Sequence, residues 1–131
     1  MRLEHIPLAR QVEIAFRAMK KELIELSSGT VLIQIRNNMI GKFGIRHLPL
    51  EAMDGQVNKA GRGLTNSQFE QFRKMAIDSL KYKVNWTHGE ILFDFMVKKG
   101  TLYTSVQFES NYKLNKLNSF NIRFLSTFQF V

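Results

Sequence analysis

Residues 91–108 read ILFDFMVKKGTLYTSVQF, and this stretch decides the fold. Ile91, Phe93, Phe95 and Val97 alternate with Leu92, Asp94 and Met96. After Lys98-Lys99-Gly100-Thr101, Leu102, Thr104, Val106 and Phe108 alternate back. A period of two on both sides of a glycine-containing turn is the pattern of a β-hairpin. Pairing Val97 with Leu102 sets Phe95 against Thr104, Phe93 against Val106 and Ile91 against Phe108. One face is then nearly all apolar, and a one-residue slip would turn it to water, so the register is strongly specified. The other face carries Glu90 opposite Glu109 and Asp94 opposite Ser105, with Tyr103 and Gln107 alongside.

Upstream of the hairpin, residues 66–82 predict a helix with a well-marked start. Thr65 fits the N-cap, Gln68 the third position of a capping box, and Leu64 with Phe69 a hydrophobic staple. Phe69, Phe72, Ala76 and Leu80 form its apolar stripe, and Arg73, Lys74, Asp78 and Lys81 lie off it. Trp86 is expected to open a short strand that turns at His88-Gly89. An earlier amphipathic helix is predicted over 7–27, with Leu8, Val12, Ala15, Phe16, Met19, Leu23 and Leu26 on one face, Pro7 in its first turn and Gly29 as its stop. Thr30–Arg36 and Met39–Arg46 then read as two strands joined at Asn37-Asn38. Gly41 and Gly44 mark a bulge or a close backbone approach in the second. Residues 47–64 form a long irregular connection, either functional or mobile.

The order is helix, hairpin, helix, hairpin, tail. It predicts an α+β fold with two helices on one face of a largely antiparallel sheet, α-β-β-α-β-β plus late strands. The two helix–hairpin units invite comparison as structural repeats, although their residues do not align by eye. Residues 111–131 hold Phe120, Ile122, Phe124, Phe128 and Phe130 at alternating positions. They read either as strands completing the sheet or as a loose apolar tail able to self-associate.

A length of 131 residues suits one domain, 1–131, and 44% hydrophobic with 23% charged content suits a globular chain. No apolar run nears the ~20 residues of a membrane span. The N-terminus lacks a signal-peptide pattern, and there is no cysteine, so a cytoplasmic protein without disulfides or thiolate chemistry is expected. Nineteen Lys and Arg against eleven Asp and Glu leave a net charge of +8, which draws in anionic partners, nucleic acid first among them.

Two stretches could carry chemistry. NKAGRGLTNSQFEQF (residues 58–72) places Lys59, Gly61, Arg62 and Gly63 ahead of Thr65 and a helix start, the parts of an anion seat. It matches neither GxxxxGK[ST] nor GxGxxG, and its plainer reading is a flexible loop before a capped helix. Arg73, Lys74, Lys81 and Lys83 extend a basic surface along that helix, with Tyr82 and Trp86 as stacking candidates. The second stretch is acidic: Glu90, Asp94 and Glu109 could bind a divalent cation or act in acid–base work, or simply form a solvated face. His5, His47 and His88 match no ligand spacing, and no nucleophile elbow occurs. Neither cofactor nor resident metal is expected.

Three functional readings follow. The first is a non-enzymatic basic protein contacting nucleic acid through the glycine-rich loop and helix 66–82. The second is a protein-interaction or regulatory module, able to homodimerise, using a strand edge or the tail. The third is a small enzyme or metal binder using the hairpin carboxylates.

Overall fold

Each hairpin in the structure is closed by a pair of residues with positive φ, and these turns set the strand pairing. A computed structural model describes residues 6–57 and 61–112. Helix α1 (Leu8–Leu23) precedes β1 (Ser28–Arg36) and β2 (Met39–Arg46). Two short strands, β3 (Ala52–Met53) and β4 (Gln56–Val57), follow. Helix α2 (Asn66–Ser79) runs into a 3₁₀ turn at Leu80–Tyr82, and β5 (His88–Lys98) and β6 (Thr101–Ser110) complete the order. The fold is α+β: the four long strands form one antiparallel sheet ordered β2-β1-β5-β6, and β3-β4 form a separate ribbon. Asn37-Asn38 and Lys99-Gly100 have φ of 52°, 60°, 49° and 77°, the paired left-handed conformation whose twist matches a tight hairpin.

The β5–β6 register is the one its alternation requires: Val97 faces Leu102, Phe93 faces Val106 and Ile91 faces Phe108. The buried apolar side chains of β1 and β5 are Val31, Ile33 and Ile35 with Ile91, Phe93 and Phe95. Both helices cover that face. Phe16 of α1 meets Phe93 and Phe72 of α2 edge-on, at centroid distances of 5.8 and 5.1 Å, and Phe72 lies 5.0 Å from Phe95. Full burial of each such ring contributes roughly 2–3 kcal/mol.

β1 and β5 lie side by side with Leu32 facing Leu92. The two helix–hairpin units are therefore placed symmetrically about the sheet centre. Val31, Ile33 and Ile35 occupy positions equivalent to Ile91, Phe93 and Phe95, while Val12, Ala15, Met19 and Leu23 correspond in burial to Phe69, Phe72, Ala76 and Leu80. At several of these positions a small residue in one unit stands where the other has a large one, as with Ala15 and Phe72.

Three local expectations need correction. Helix α1 stops at Leu23, and Gly29 is not its stop but pairs with Phe95 within β1. The Val97 N–H donates to the Ser27 carbonyl at 2.7 Å, so pairing with β5 claims residues that a local reading gives to the helix. Trp86 opens no strand, and His88-Gly89 make no turn but begin β5. The segment is held instead by the β1–β2 turn: Asn37 and Asn38 N–H groups donate to Thr87 and Trp86 carbonyls, and the Trp86 N–H donates to Asn38 Oδ1. The connection 47–57 is not wholly irregular, because Asp54-Gly55 closes β3 and β4 into a small ribbon. Gly41 does mark a bulge: Gln34 faces Lys42 and Ile35 faces Ile40, which leaves Gly41 as the extra residue.

Candidate anion-binding surface

The glycine-rich loop ends in the capping box its sequence predicts. Thr65 Oγ1 accepts from the Gln68 N–H, and Gln68 Oε1 accepts from the Thr65 N–H, each at 3.0 Å. Gln68 Nε2 also donates to the Gly100 carbonyl, tying the start of α2 to the β5–β6 turn. Leu64 and Phe69 are both buried, as a staple requires. These bonds occupy donors that an anion would otherwise take.

Gly63 has a packing role. A Cβ built there would overlap the Ile24 carbonyl and press on Glu25, so its backbone lies directly against the end of α1. That end presents helix carbonyls, the negative pole of the dipole, and repels rather than attracts an anion. Among the described residues nothing lies within 4 Å of a Cβ built on Gly61, and Arg62 is exposed. Lys59 lies outside the described residues, as does the chain beyond residue 112.

Along α2 the basic side chains divide into two groups. Arg73 is committed to the helix interface. Its Nε donates to Glu70 Oε2 at 2.9 Å, and Arg17 of α1 reaches Glu70 Oε1 at 2.6 Å. Glu13 lies 3.9 Å from Arg73 as well. The Arg17 hydrogen bond, then that from Arg73, holds the Glu70 carboxyl below its ordinary value of 4.5. A depressed carboxylate contributes stability that is present above about pH 4.5 and is lost as pH falls through the lower folded value. Glu70 is exposed and the pair is solvent-screened, so the effect is small. Melting followed from pH 6 to pH 3 is expected to fall less steeply in Glu70→Gln than in the native chain; equal slopes would mean that the pair is inert.

Lys74 and Lys81 form the second group. Among the described residues neither has an ion-pair partner, and both are exposed. Lys74 lies in α2 and Lys81 in the 3₁₀ turn that extends it. They border an open cleft of about 460 Å³ between α2 and β6, together with Met75, Asp78, Tyr82 and Val106. Tyr82 is 75% exposed, and the Lys81 ammonium sits 5.2 Å from its ring centroid. Among the described residues, Asp78 is the one acidic group in the cleft wall.

Trp86 is only 1% exposed and offers no face for a base to stack on. Its Nε1–H donates to the Lys83 carbonyl, its ring lies 6.0 Å from Phe108, and the Lys83 ammonium stands 4.5 Å above it. Trp86 is thus a plug at one end of the sheet, with Lys83 as its cover.

The hairpin carboxylates lie on the sheet face away from the helices. Asp94 accepts from Thr30 and Ser105 hydroxyls, and Glu90 accepts from Gln34 Nε2 at 3.1 Å while facing Glu109. Among the described residues no three His, Asp or Glu side chains group as a metal site requires, and no helix is long and apolar enough to cross a membrane.

Sequence reasoning missed a basic row on that same face, Lys42 and Arg46 of β2, whose signal was the strand alternation itself. Compared with known protein families, curated proteins and solved structures, the chain matches none.

Proposed function

We propose that this chain is a non-enzymatic basic binding protein that contacts an anionic polymer, nucleic acid, along the outer face of α2. The observation that carries the reading is the pair Lys74 and Lys81, which have no ion-pair partner among the described residues and border the α2–β6 cleft together with exposed Tyr82. Arg10, Arg17 and Arg73 are engaged with carboxylates, whereas this pair is available. Phosphates would be met by the ammonium groups, and an unstacked base could lie on the tyrosine ring. Arg62, exposed ahead of the start of α2, adds a further positive charge to the molecule.

A second reading, a protein-interaction module, draws on the β3–β4 ribbon and its flanks. Leu48, Leu50, Met53 and Val57 are 48%, 68%, 72% and 53% exposed on a short arm. Apolar side chains held out in this way are what a protein partner buries.

Labelled single- and double-stranded oligonucleotides at two salt concentrations separate the two. Affinity is expected to fall steeply with salt and by about tenfold in Lys74→Ala/Lys81→Ala, with Tyr82→Ala weakening single-stranded binding most. Binding indifferent to both changes would move the surface elsewhere. No binding at low salt would end the nucleic-acid reading and leave the arm as the functional element.

A further inference from the structure

We propose that the sheet face opposite the helices is the interface of a homodimer, closed by a second copy of this chain packed face to face. The inference is independent of the nucleic-acid reading, which concerns the other side of the molecule. Strand pairing places the side chains of this face in rows across the sheet. One row runs Lys42, Gln34, Glu90, Glu109; the next runs Gly44, Leu32, Leu92, Gln107; the third runs Arg46, Thr30, Asp94, Ser105. Across these three rows the β2–β1 half is basic and the β5–β6 half acidic, with Lys98 beyond them at the β5–β6 turn and Leu32, Leu92 and Met96 half-buried between the two halves. Leu48 and Tyr103 enlarge the apolar part at one corner.

A twofold axis lying in the interface and parallel to the strands reverses each row. It sets Lys42 of one copy over Glu109 of the other, Gln34 over Glu90, Leu32 over Leu92, and Arg46 over Ser105 beside Asp94. An isologous contact must be self-complementary in this way. The single chain leaves the pattern unresolved: Glu90 faces Glu109, and among the described residues neither they nor Lys42 and Arg46 have an ion-pair partner. Like charges directly opposed on a strand pair destabilise it, and a second copy supplies the missing cation.

Size agrees. Four strands about 4.8 Å apart and about nine residues long make a flat patch of roughly 570 Å² per copy, or about 1,100 Å² in all, just above the ~1,000 Å² a specific interface needs. Two twisted sheets stack face to face with their strands about 30° apart.

The test is the mass of the full chain in solution, by light scattering and sedimentation equilibrium across concentration and salt. A dimer is expected, weakened by salt. Lys42→Glu and Glu109→Lys alone are each expected to raise its dissociation constant about tenfold, and the two together to restore it. Leu92→Asp is expected to give a monomer with native circular dichroism. A monomer at the highest concentration reached, or a dimer indifferent to Lys42→Glu and Glu109→Lys, would overturn the proposal. The exposed swap decides the matter even if Leu92→Asp fails to fold.

Discussion

Gly89→Ala is expected to destabilise the chain by about 3 kcal/mol or more, enough to leave much of it unfolded at 37 °C. Gly89 lies at the start of β5, where it pairs with Ile35 on one side and Ser110 on the other. A Cβ there would sit inside contact distance of both the Glu109 carbonyl and the Trp86 ring. The carbonyl belongs to the neighbouring strand and can retreat only by opening the β5–β6 ladder. The ring is 1% exposed, and its segment is hydrogen-bonded to the β1–β2 turn, so it has nowhere to go. One methyl group therefore sets both hairpins against each other. Gly61→Ala, with nothing among the described residues within 4 Å of its Cβ, is the matched control and is expected to change stability by less than about 0.5 kcal/mol. Urea unfolding of the two variants measures the contrast; a loss below about 1 kcal/mol at Gly89 would show that the ladder yields freely.

That glycine also shows where a sequence is legible and where it is not. His88-Gly89 looks like turn chemistry, because glycine beside a polar residue between apolar runs is a turn signal. What demands glycine at 89 is the Trp86 ring folded back on it and the β6 strand packed against it, and the sequence shows neither the fold-back nor the pairing. Gly63 repeats the lesson at the end of α1: the loop had the composition of an anion seat, and its backbone is there to touch Ile24. Features that rest on neighbours in the chain were readable. The β5–β6 register follows from alternation, the Thr65–Gln68 box from two residues three apart, and the Gly41 bulge from a glycine in a strand. Features that rest on long-range pairing were not, and the antiparallel meeting of β1 with β5 is the chief of them. It shortened α1, symmetrised the two helix–hairpin units and laid the basic and acidic halves of one face side by side. The candidate anion surface was half legible for the same reason. The placing of Lys74 and Lys81 off the apolar stripe follows from helical periodicity, but the capture of Arg73 by Glu70 and Glu13 depends on α1 lying next to α2.

Gln11→Leu is expected to cost about 2–4 kcal/mol although it makes the core more apolar. Gln11 is 2% exposed on the otherwise apolar stripe of α1, a turn before Ala15. Its Nε2 donates to the carbonyls of Ile6 and Asn38, at 2.9 and 3.0 Å, and its Oε1 accepts from the Ile40 N–H at 2.8 Å. One side chain thus satisfies three backbone groups and clasps the β1–β2 turn to the start of α1. Leucine has similar bulk but leaves those groups without partners, and each buried orphan costs about 1–3 kcal/mol. Burial of a more apolar side chain offsets only part of this, because the glutamine stem is already out of water. Gln11→Glu separates the two functions of the amide. It keeps an acceptor for the Ile40 N–H, loses the donors to Ile6 and Asn38, and brings a charge into a buried site, so it is expected to be worse than leucine at pH 7 and to recover as acid protonates it. Amide exchange gives the sharpest reading: the Ile40 N–H should lose protection in Gln11→Leu while the Ile33 N–H, in the middle of β1, changes only with global stability. Equal change at both would show that the clasp carries no local role and that the whole loss arises from packing.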